Sequence, residues 1–117
     1  MNGYSYRDAE PQLDAELWRK RVIRDAKSAE GRAAAGAYEV SIDLVIAAAE
    51  LIAAYMAAGE SEISRMDLKI SGVCSVPLID TRQTQRLLRY LEDRGHIGRT
   101  DNRDLIRPVR GDEMPLR

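Results

Sequence analysis

Apolar residues recur every three or four positions along much of the chain, which is the period of an amphipathic helix. The first such stretch runs from Pro11 to about Ala35 and carries charged residues on its opposite side. Pro11 suits the first turn of a helix, where its missing N–H leaves no hydrogen bond unmade. The pattern therefore predicts an amphipathic N-terminal helix within residues 11–36. We expect this helix either to pack on the rest of the chain or to serve as an oligomerisation or partner-binding element.

A second predicted helix is apolar on nearly every side. It extends from Ser41, whose hydroxyl can cap the first turn, to Ala58, and Gly59 follows as a natural helix end. A helix without a polar face is either the centre of a core or covered by a second chain. Both possibilities stay open at this point, so this helix and the N-terminal one are the two candidates for the interface of a homodimer.

The next segment is less regular. Residues 62–71 are compatible with a short third helix, and equally with a brief strand near Ile63 followed by a helix from Ser64. Residues 72–77 then form a predicted loop, because Pro77 disfavours helical backbone at the residue before it.

A well-bounded helix is predicted over residues 80–94. Asp80 is placed to cap its N-terminus, and Gln83 completes a capping-box pattern. Gly95 suits the position after the helix, because glycine enters the left-handed conformation without a steric penalty. Helical spacing divides the long side chains between an apolar face and an arginine face. The two faces consist of Leu87, Leu88 and Leu91, with Thr84 as a further candidate, and of Arg82, Arg86 and Arg89.

Two short runs compatible with β-structure follow this helix. They are residues 97–100 and 104–110, and the Asp-Asn pair between them is a turn signal. Pro108 lacks an N–H, so it is expected to confine the second run to an edge position. The pattern predicts a small hairpin that carries Arg99, Arg103, Arg107 and Arg110.

Composition and charge add a bias toward an acidic partner. The chain of 117 residues has a net charge of −1 and is 44% apolar, which suits one domain with a real core. Residues 1–60 hold seven Lys and Arg against ten Asp and Glu, whereas residues 61–117 hold eleven against nine. Ten of those eleven cations are arginine, whose planar fork matches phosphates and guanine edges. The alternative is that the arginines only reflect a GC-rich genome.

Several classes of protein are not expected. Residues 1–10 are polar and lack a signal peptide, and the apolar run 44–58 is too short and too weak to cross a membrane. The single Cys74 cannot form an internal disulfide, so a cytoplasmic location is expected. The sequence has no phosphate-binding loop, no His/Cys cluster and no nucleophile elbow. We therefore expect no enzyme, no catalytic residue, no metal and no cofactor.

The order of these elements resembles the winged helix-turn-helix superfamily over roughly Tyr38 to Arg110. The residues that carry the resemblance are 87–97, Leu-Leu-Arg-Tyr-Leu-Glu-Asp-Arg-Gly-His-Ile, which look like the end of a recognition helix entering a first wing strand. The expected fold is mainly α with a small β-hairpin, a winged helix-turn-helix preceded by an amphipathic helix. The expected division is a flexible arm at 1–10, the helix at 11–36, a winged-helix domain at 37–110 and a frayed tail at 111–117.

The resemblance implies a small protein that binds double-stranded DNA as a homodimer. Helix 80–94 would enter the major groove and the wing at 97–110 would lie on the backbone. A transcriptional regulator, or a replication-associated factor of a phage or other mobile element, would fit this description. The implied DNA-binding residues are Thr81, Arg82, Gln83, Gln85, Arg86, Arg89, Arg99 and Arg103.

A protein-binding adaptor or inhibitor on the same scaffold, for example one encoded by a phage, is the alternative. Apart from either function, the alternative for Arg86 and Arg89 is a purely structural role, in which they only pair with Glu92, Asp93 or Asp80 on a solvated face. Arg94 is expected to act on the negative end of its helix, and His96 to pack beneath the hairpin.

Overall fold

The computed structural model describes residues 6–70 and 81–110. This part of the chain is mainly helical, with a small antiparallel sheet of three strands, so the expected class of a mainly α protein with a small hairpin is confirmed. The elements are α1 (Tyr6–Lys27), α2 (Ala29–Ala37), α3 (Ile42–Ala57), β1 (Ile63–Ser64), α4 (Arg65–Ile70), α5 (Thr81–Asp93), β2 (Ile97–Arg99) and β3 (Leu105–Pro108).

The N-terminal helix differs from the predicted one at both ends. It begins at Tyr6, before Pro11, and a second helix starts after Ser28 instead of one helix running to about Ala35. Ser28 caps α2, because its hydroxyl accepts a hydrogen bond of 3.0 Å from the backbone N–H of Gly31. Gly31 lies directly against the carbonyl group of Asp25, where a Cβ atom would overlap it. The break therefore depends on glycine at this close approach.

Helix α3 is the centre of the core. The hydroxyl of Ser41 accepts a 3.1 Å hydrogen bond from the N–H of Leu44, as predicted for its cap. Gly59 follows the helix with a φ of 95°, so the predicted helix end is also confirmed. Helix α1 packs chiefly on α3, and side chains of α1, α3 and α5 share one buried cluster. Its members include Trp18, Val22, Val45, Ile52, Leu87, Tyr90 and Leu91.

The sheet has the order β1-β3-β2, and both neighbouring pairs are antiparallel. The strand at Ile63 followed by a short helix is therefore the correct one of the two predicted alternatives. The prediction of an edge position for the second hairpin strand is wrong, because β3 lies in the middle. β1 pairs only with Leu105 and Ile106, so Pro108 needs no N–H on that side and pairs only with Ile97.

Some predicted features lie outside the described residues, namely the Asp80 cap, the loop at 72–77, Cys74 and the tail at 111–117. Within residues 6–70 and 81–110, no single helix is both long and apolar enough to cross a membrane. Only α2 and α3 taken together, across a bend of 101°, reach the necessary length and composition.

Candidate functional site

Helix α5 presents an apolar face to the core and a polar face to solvent. The predicted apolar face is buried, with Leu87 and Leu91 fully inaccessible and Thr84 on the same side. Gly95 follows with a φ of 80°, as expected for the residue that ends the helix. The exposed face carries Arg82, Gln83, Gln85 and Arg89. Because residues at i, i+3 and i+7 share a helix face, Arg82, Gln85 and Arg89 form one exposed row.

The hairpin fixes a second set of arginines beside that row. Its turn is closed by the side chains of Thr100 and Asn102. The hydroxyl of Thr100 accepts from the N–H of Asn102 at 3.0 Å, and the Asn102 amide oxygen accepts from the N–H of Asp104 at 2.9 Å. This turn leaves Arg103 exposed at the tip, while Arg99 extends from β2 and is also exposed.

A concave surface of about 340 Å³ separates α5 from the hairpin, and we call it the α5–hairpin cleft. Four of the predicted site residues line it together, Gln85 and Arg89 from α5 and Arg99 and Arg103 from the hairpin. The remaining lining residues are Arg65, Leu88, Glu92, Ile97, Gly98, Thr100, Asn102, Leu105 and Ile106. The cleft is thus polar at its rim and closed by buried leucine and isoleucine at its base.

Arg65 is the cleft residue that the sequence did not indicate. It is the first residue of α4, and its backbone N–H donates a 2.8 Å hydrogen bond to the carbonyl oxygen of Asp104 in the hairpin. This bond brings the start of α4 against the hairpin and places the exposed Arg65 on the cleft. The only signal for it in the sequence was the predicted alternative of a strand near Ile63, because that strand determines where α4 begins.

One carboxylate lies within the cleft and holds one of its arginines. Glu92 accepts hydrogen bonds from Nε of Arg99 at 2.8 Å and from its Nη2 at 3.4 Å. This contact raises the pKa of the Arg99 guanidinium above its usual value. Arg89 and Arg103, by contrast, have no hydrogen-bond or ion-pair partner among residues 6–70 and 81–110. The side chain of Arg65 has none there either, so three arginines on the cleft are available to an anion and a fourth, Arg99, is shared with Glu92.

The other predicted site residues do not line the cleft. Arg86 lies near Glu39, with 3.7 Å between Nη1 and the nearer carboxylate oxygen. Among the described residues, Arg86 therefore pairs with the α2–α3 connection and not with Glu92 or Asp93 as expected, while Asp80 lies outside the described residues. Arg82 and Gln83 are exposed on α5 outside the cleft. Thr81 is the first residue of α5, and its side chain lies outside the described part.

A second polar cluster joins the C-terminal end of α5 to α1. Asp25 accepts hydrogen bonds from Nε of Arg94 at 2.9 Å and from its Nη2, and it also contacts Nε2 of His96 at 3.0 Å. The hydrogen bonds from Arg94 lower the pKa of Asp25, whereas burial lowers the pKa of His96. His96 is 2% exposed beneath the hairpin, as predicted. Arg94 was expected to interact with the negative C-terminal end of its own helix. Instead, its guanidinium binds Asp25 on α1.

The indole of Trp18 strengthens the same junction by donating a 2.9 Å hydrogen bond to the carbonyl oxygen of His96. Arg21 donates to the carbonyl oxygen of Val109 at 2.6 Å. Helix α1 therefore binds the residue before β2 and the residue after β3. These contacts fix the hairpin, which forms one wall of the cleft. In the described part of the chain, no group of three or more His, Cys, Asp or Glu side chains is arranged to hold a metal ion.

Comparisons with protein-family models, with curated proteins and with solved structures gave no match for this chain.

Proposed function

We propose that this chain is a winged-helix protein that binds double-stranded DNA, with α5 in the major groove and the β2–β3 hairpin on the phosphate backbone. The observation that carries the proposal is the α5–hairpin cleft, where Gln85 and Arg89 of the helix meet Arg99 and Arg103 of the hairpin. A recognition helix and a wing that share one cationic surface can contact the bases and the backbone together.

The order of the elements supports the same proposal. A buried helix, a short strand, a short helix, the arginine-bearing helix α5 and a hairpin follow one another in the chain. This is the order that the resemblance to winged helices implies. The short strand β1 also pairs with β3, and α5 packs against β2, so the hairpin is held both by the sheet and by α5.

The chemistry of the exposed row on α5 suits the major groove. Arginine binds guanine O6 and N7 in a bidentate manner, and glutamine binds adenine N6 and N7. Arg82, Gln85 and Arg89 are therefore assigned to the groove. Arg65, Arg99 and Arg103 are assigned to phosphates, which provide affinity but little sequence information. The overall charge of −1 matters less than this local concentration of cations.

A binding assay on a labelled duplex of random sequence at low salt tests the proposal. Wild-type protein should bind, and the double variant Arg89→Ala/Arg103→Ala should bind at least about tenfold more weakly, because two phosphate or base contacts are lost. The matched control is Lys27→Ala/Arg32→Ala. It removes two exposed cations from α1 and α2, away from the cleft, and should bind like wild type. Absence of wild-type binding at low salt would contradict the proposal.

A protein-binding adaptor is the second candidate, and one observation favours it. Met66 is 58% exposed beside the cleft, in a depression of about 410 Å³ that is also lined by Gln85, Leu88 and Asp104. An exposed apolar side chain next to both charge signs suits a protein surface more than a phosphate backbone. If duplex DNA does not bind at low salt, this candidate takes precedence.

A further inference from the structure

The outer face of α1 carries an apolar pair that nothing in the described part of the chain covers. Leu13 is 56% exposed and Leu17 is 66% exposed, and they lie one helical turn apart. The opposite side of the same helix holds the buried Trp18 and Val22. Among the side chains that the structure describes, the third large apolar one exposed to this degree is Met66 on α4. Leu13 and Leu17 thus form the apolar pair of the α1 outer face.

Helix α3, the other candidate for a dimer interface, is already covered. Its large residues Leu44, Val45 and Ile52 are buried, and α1 packs across it within the same chain. An apolar surface that is filled by its own chain has little left to offer a partner. The α1 outer face is therefore the better candidate for an interaction surface.

Charge along α1 indicates what the partner is. The acidic residues Asp14 and Glu16 lie between the two leucines in the sequence, whereas the stretch from Arg19 to Lys27 holds five cations and one carboxylate. Two α1 helices packed in parallel would place like charges next to each other. In the antiparallel direction, the acidic part of each helix faces the cationic part of the other. The surface is thus complementary to a second copy of itself.

We propose that two copies of this chain associate through their α1 helices in an antiparallel pair centred near Leu17. Leu17 then packs against Leu17 of the other copy, and Asp14 of one copy lies level with Lys20 of the other. Glu16 already forms ion pairs with Arg19 at 2.7 Å and Lys20 at 3.9 Å in its own helix. The charges consequently set the direction of the pair, while burial of the leucines supplies the affinity. The helix spans 22 residues, or roughly 33 Å, which is long enough for such a contact.

This inference does not rest on DNA binding, because it concerns a face of α1 that carries none of the cleft residues. If both hold, two clefts in one assembly would double the number of phosphate contacts. The oligomeric state can be measured without any nucleic acid, so failure of one proposal leaves the other intact.

Sedimentation equilibrium over a roughly 100-fold range of protein concentration tests the association, since a dimer follows mass action. Wild type should dimerise. Leu17→Asp should weaken the dimer by at least about 100-fold, because two leucines are lost and two charges are buried in each pair. The control Met66→Asp removes the exposed apolar residue of α4 and should dimerise like wild type. A wild type that stays monomeric, a Leu17→Asp variant that stays dimeric, or a Met66→Asp variant that becomes monomeric would each overturn the proposal.

Oxidative cross-linking tests the direction of the pair, in a Cys74→Ser background so that the introduced cysteine is the only one. Leu17→Cys should form a disulfide-linked dimer. Leu13→Cys should not, because two copies of residue 13 lie about 12 Å apart along the axis of an antiparallel pair centred on residue 17. Cross-linking at both positions would overturn the antiparallel arrangement. Circular dichroism confirms that each variant remains helical.

Discussion

The carboxylate of Asp25 on α1 accepts hydrogen bonds from Nε and Nη2 of Arg94, although the two residues lie 69 positions apart in the chain. Arg94 directly follows α5, so the contact fixes the C-terminal end of that helix to α1. Both side chains are about one-fifth exposed, which leaves their charges partly desolvated. A carboxylate and a guanidinium in this geometry form a strong, charge-assisted pair. The N-terminal helix therefore positions the helix that carries the candidate DNA-binding residues.

Asp25→Asn should lower the free energy of unfolding by about 2 kcal/mol, because a partly buried Arg94 would lose its counter-charge. Urea unfolding followed by circular dichroism measures the change. Glu16→Gln is the control on the same helix. It removes the carboxylate from an exposed ion pair with Arg19, and exposed pairs contribute little. Equal effects of the two substitutions would show that the Asp25 contact has no special role.

His96 should make the protein less stable as the pH falls from about 7 toward 5. Burial lowers its pKa in the folded state, so the unfolded chain takes up a proton first, and each proton taken up favours unfolding. The loss should not exceed about 1.4 kcal/mol per pH unit, the limit for one group. The chain has a single histidine, and no other type of side chain has its ordinary pKa in this window.

The pH effect is measured by urea unfolding at a series of pH values. In His96→Gln the slope between pH 7 and 5 should largely disappear, while the acidic loss from Asp25 remains. Because the pKa of Asp25 is lowered, its contribution is present above the ordinary carboxyl pKa and is lost only as the pH falls below it. An unchanged slope in His96→Gln would rule out this histidine as the cause.

Two glycines of α2 should respond in opposite ways to alanine. Gly31→Ala should destabilise the protein by about 2 kcal/mol, because the new methyl group would overlap the carbonyl of Asp25. Gly36 has nothing within 4 Å of a Cβ position, so Gly36→Ala should stabilise by about 0.5 kcal/mol through helix propensity. Thermal unfolding of the two variants gives the comparison. A neutral Gly31→Ala would mean that α1 and α2 are not packed as described.

The features that the sequence predicts well are the ones set by neighbouring residues. The cap at Ser41 and the glycine ends at Gly59 and Gly95 follow from local backbone chemistry, and each is present. The buried face of α5 follows from helical spacing in the same way. These local rules were sufficient to predict α3, α5 and the hairpin.

The features that the sequence did not predict depend on contacts between distant segments. The break at Ser28 requires Gly31 to approach the end of α1, and periodicity alone carries no sign of that. Arg65 reaches the cleft because β1 pairs with the middle strand of the sheet. Arg94 turns to α1 because Asp25 lies there. The predicted arginines lie partly on the cleft and partly on other surfaces for the same reason, because contacts between distant segments decide where each one lies.

Glu92 should weaken the binding of DNA, because its carboxylate occupies Arg99 and adds a negative charge within the cleft. Glu92→Gln should therefore raise the affinity for duplex DNA about three- to tenfold at low salt, and less at high salt where charges are screened. Asp93→Asn is the matched control, since it removes the same charge from the next residue, outside the cleft. If both variants gain equally, the effect is one of net charge and not of Arg99.

The salt dependence of duplex binding tests the central claim most directly. The logarithm of the affinity should fall linearly with the logarithm of salt concentration, with a slope of about −0.9 for each phosphate contacted. For Arg89→Ala/Arg103→Ala the slope should become shallower by about 1 to 2 units, while Lys27→Ala/Arg32→Ala keeps the wild-type slope. Equal slopes for all three proteins, or no binding by wild type at low salt, would contradict a DNA-binding role for the cleft between α5 and the hairpin.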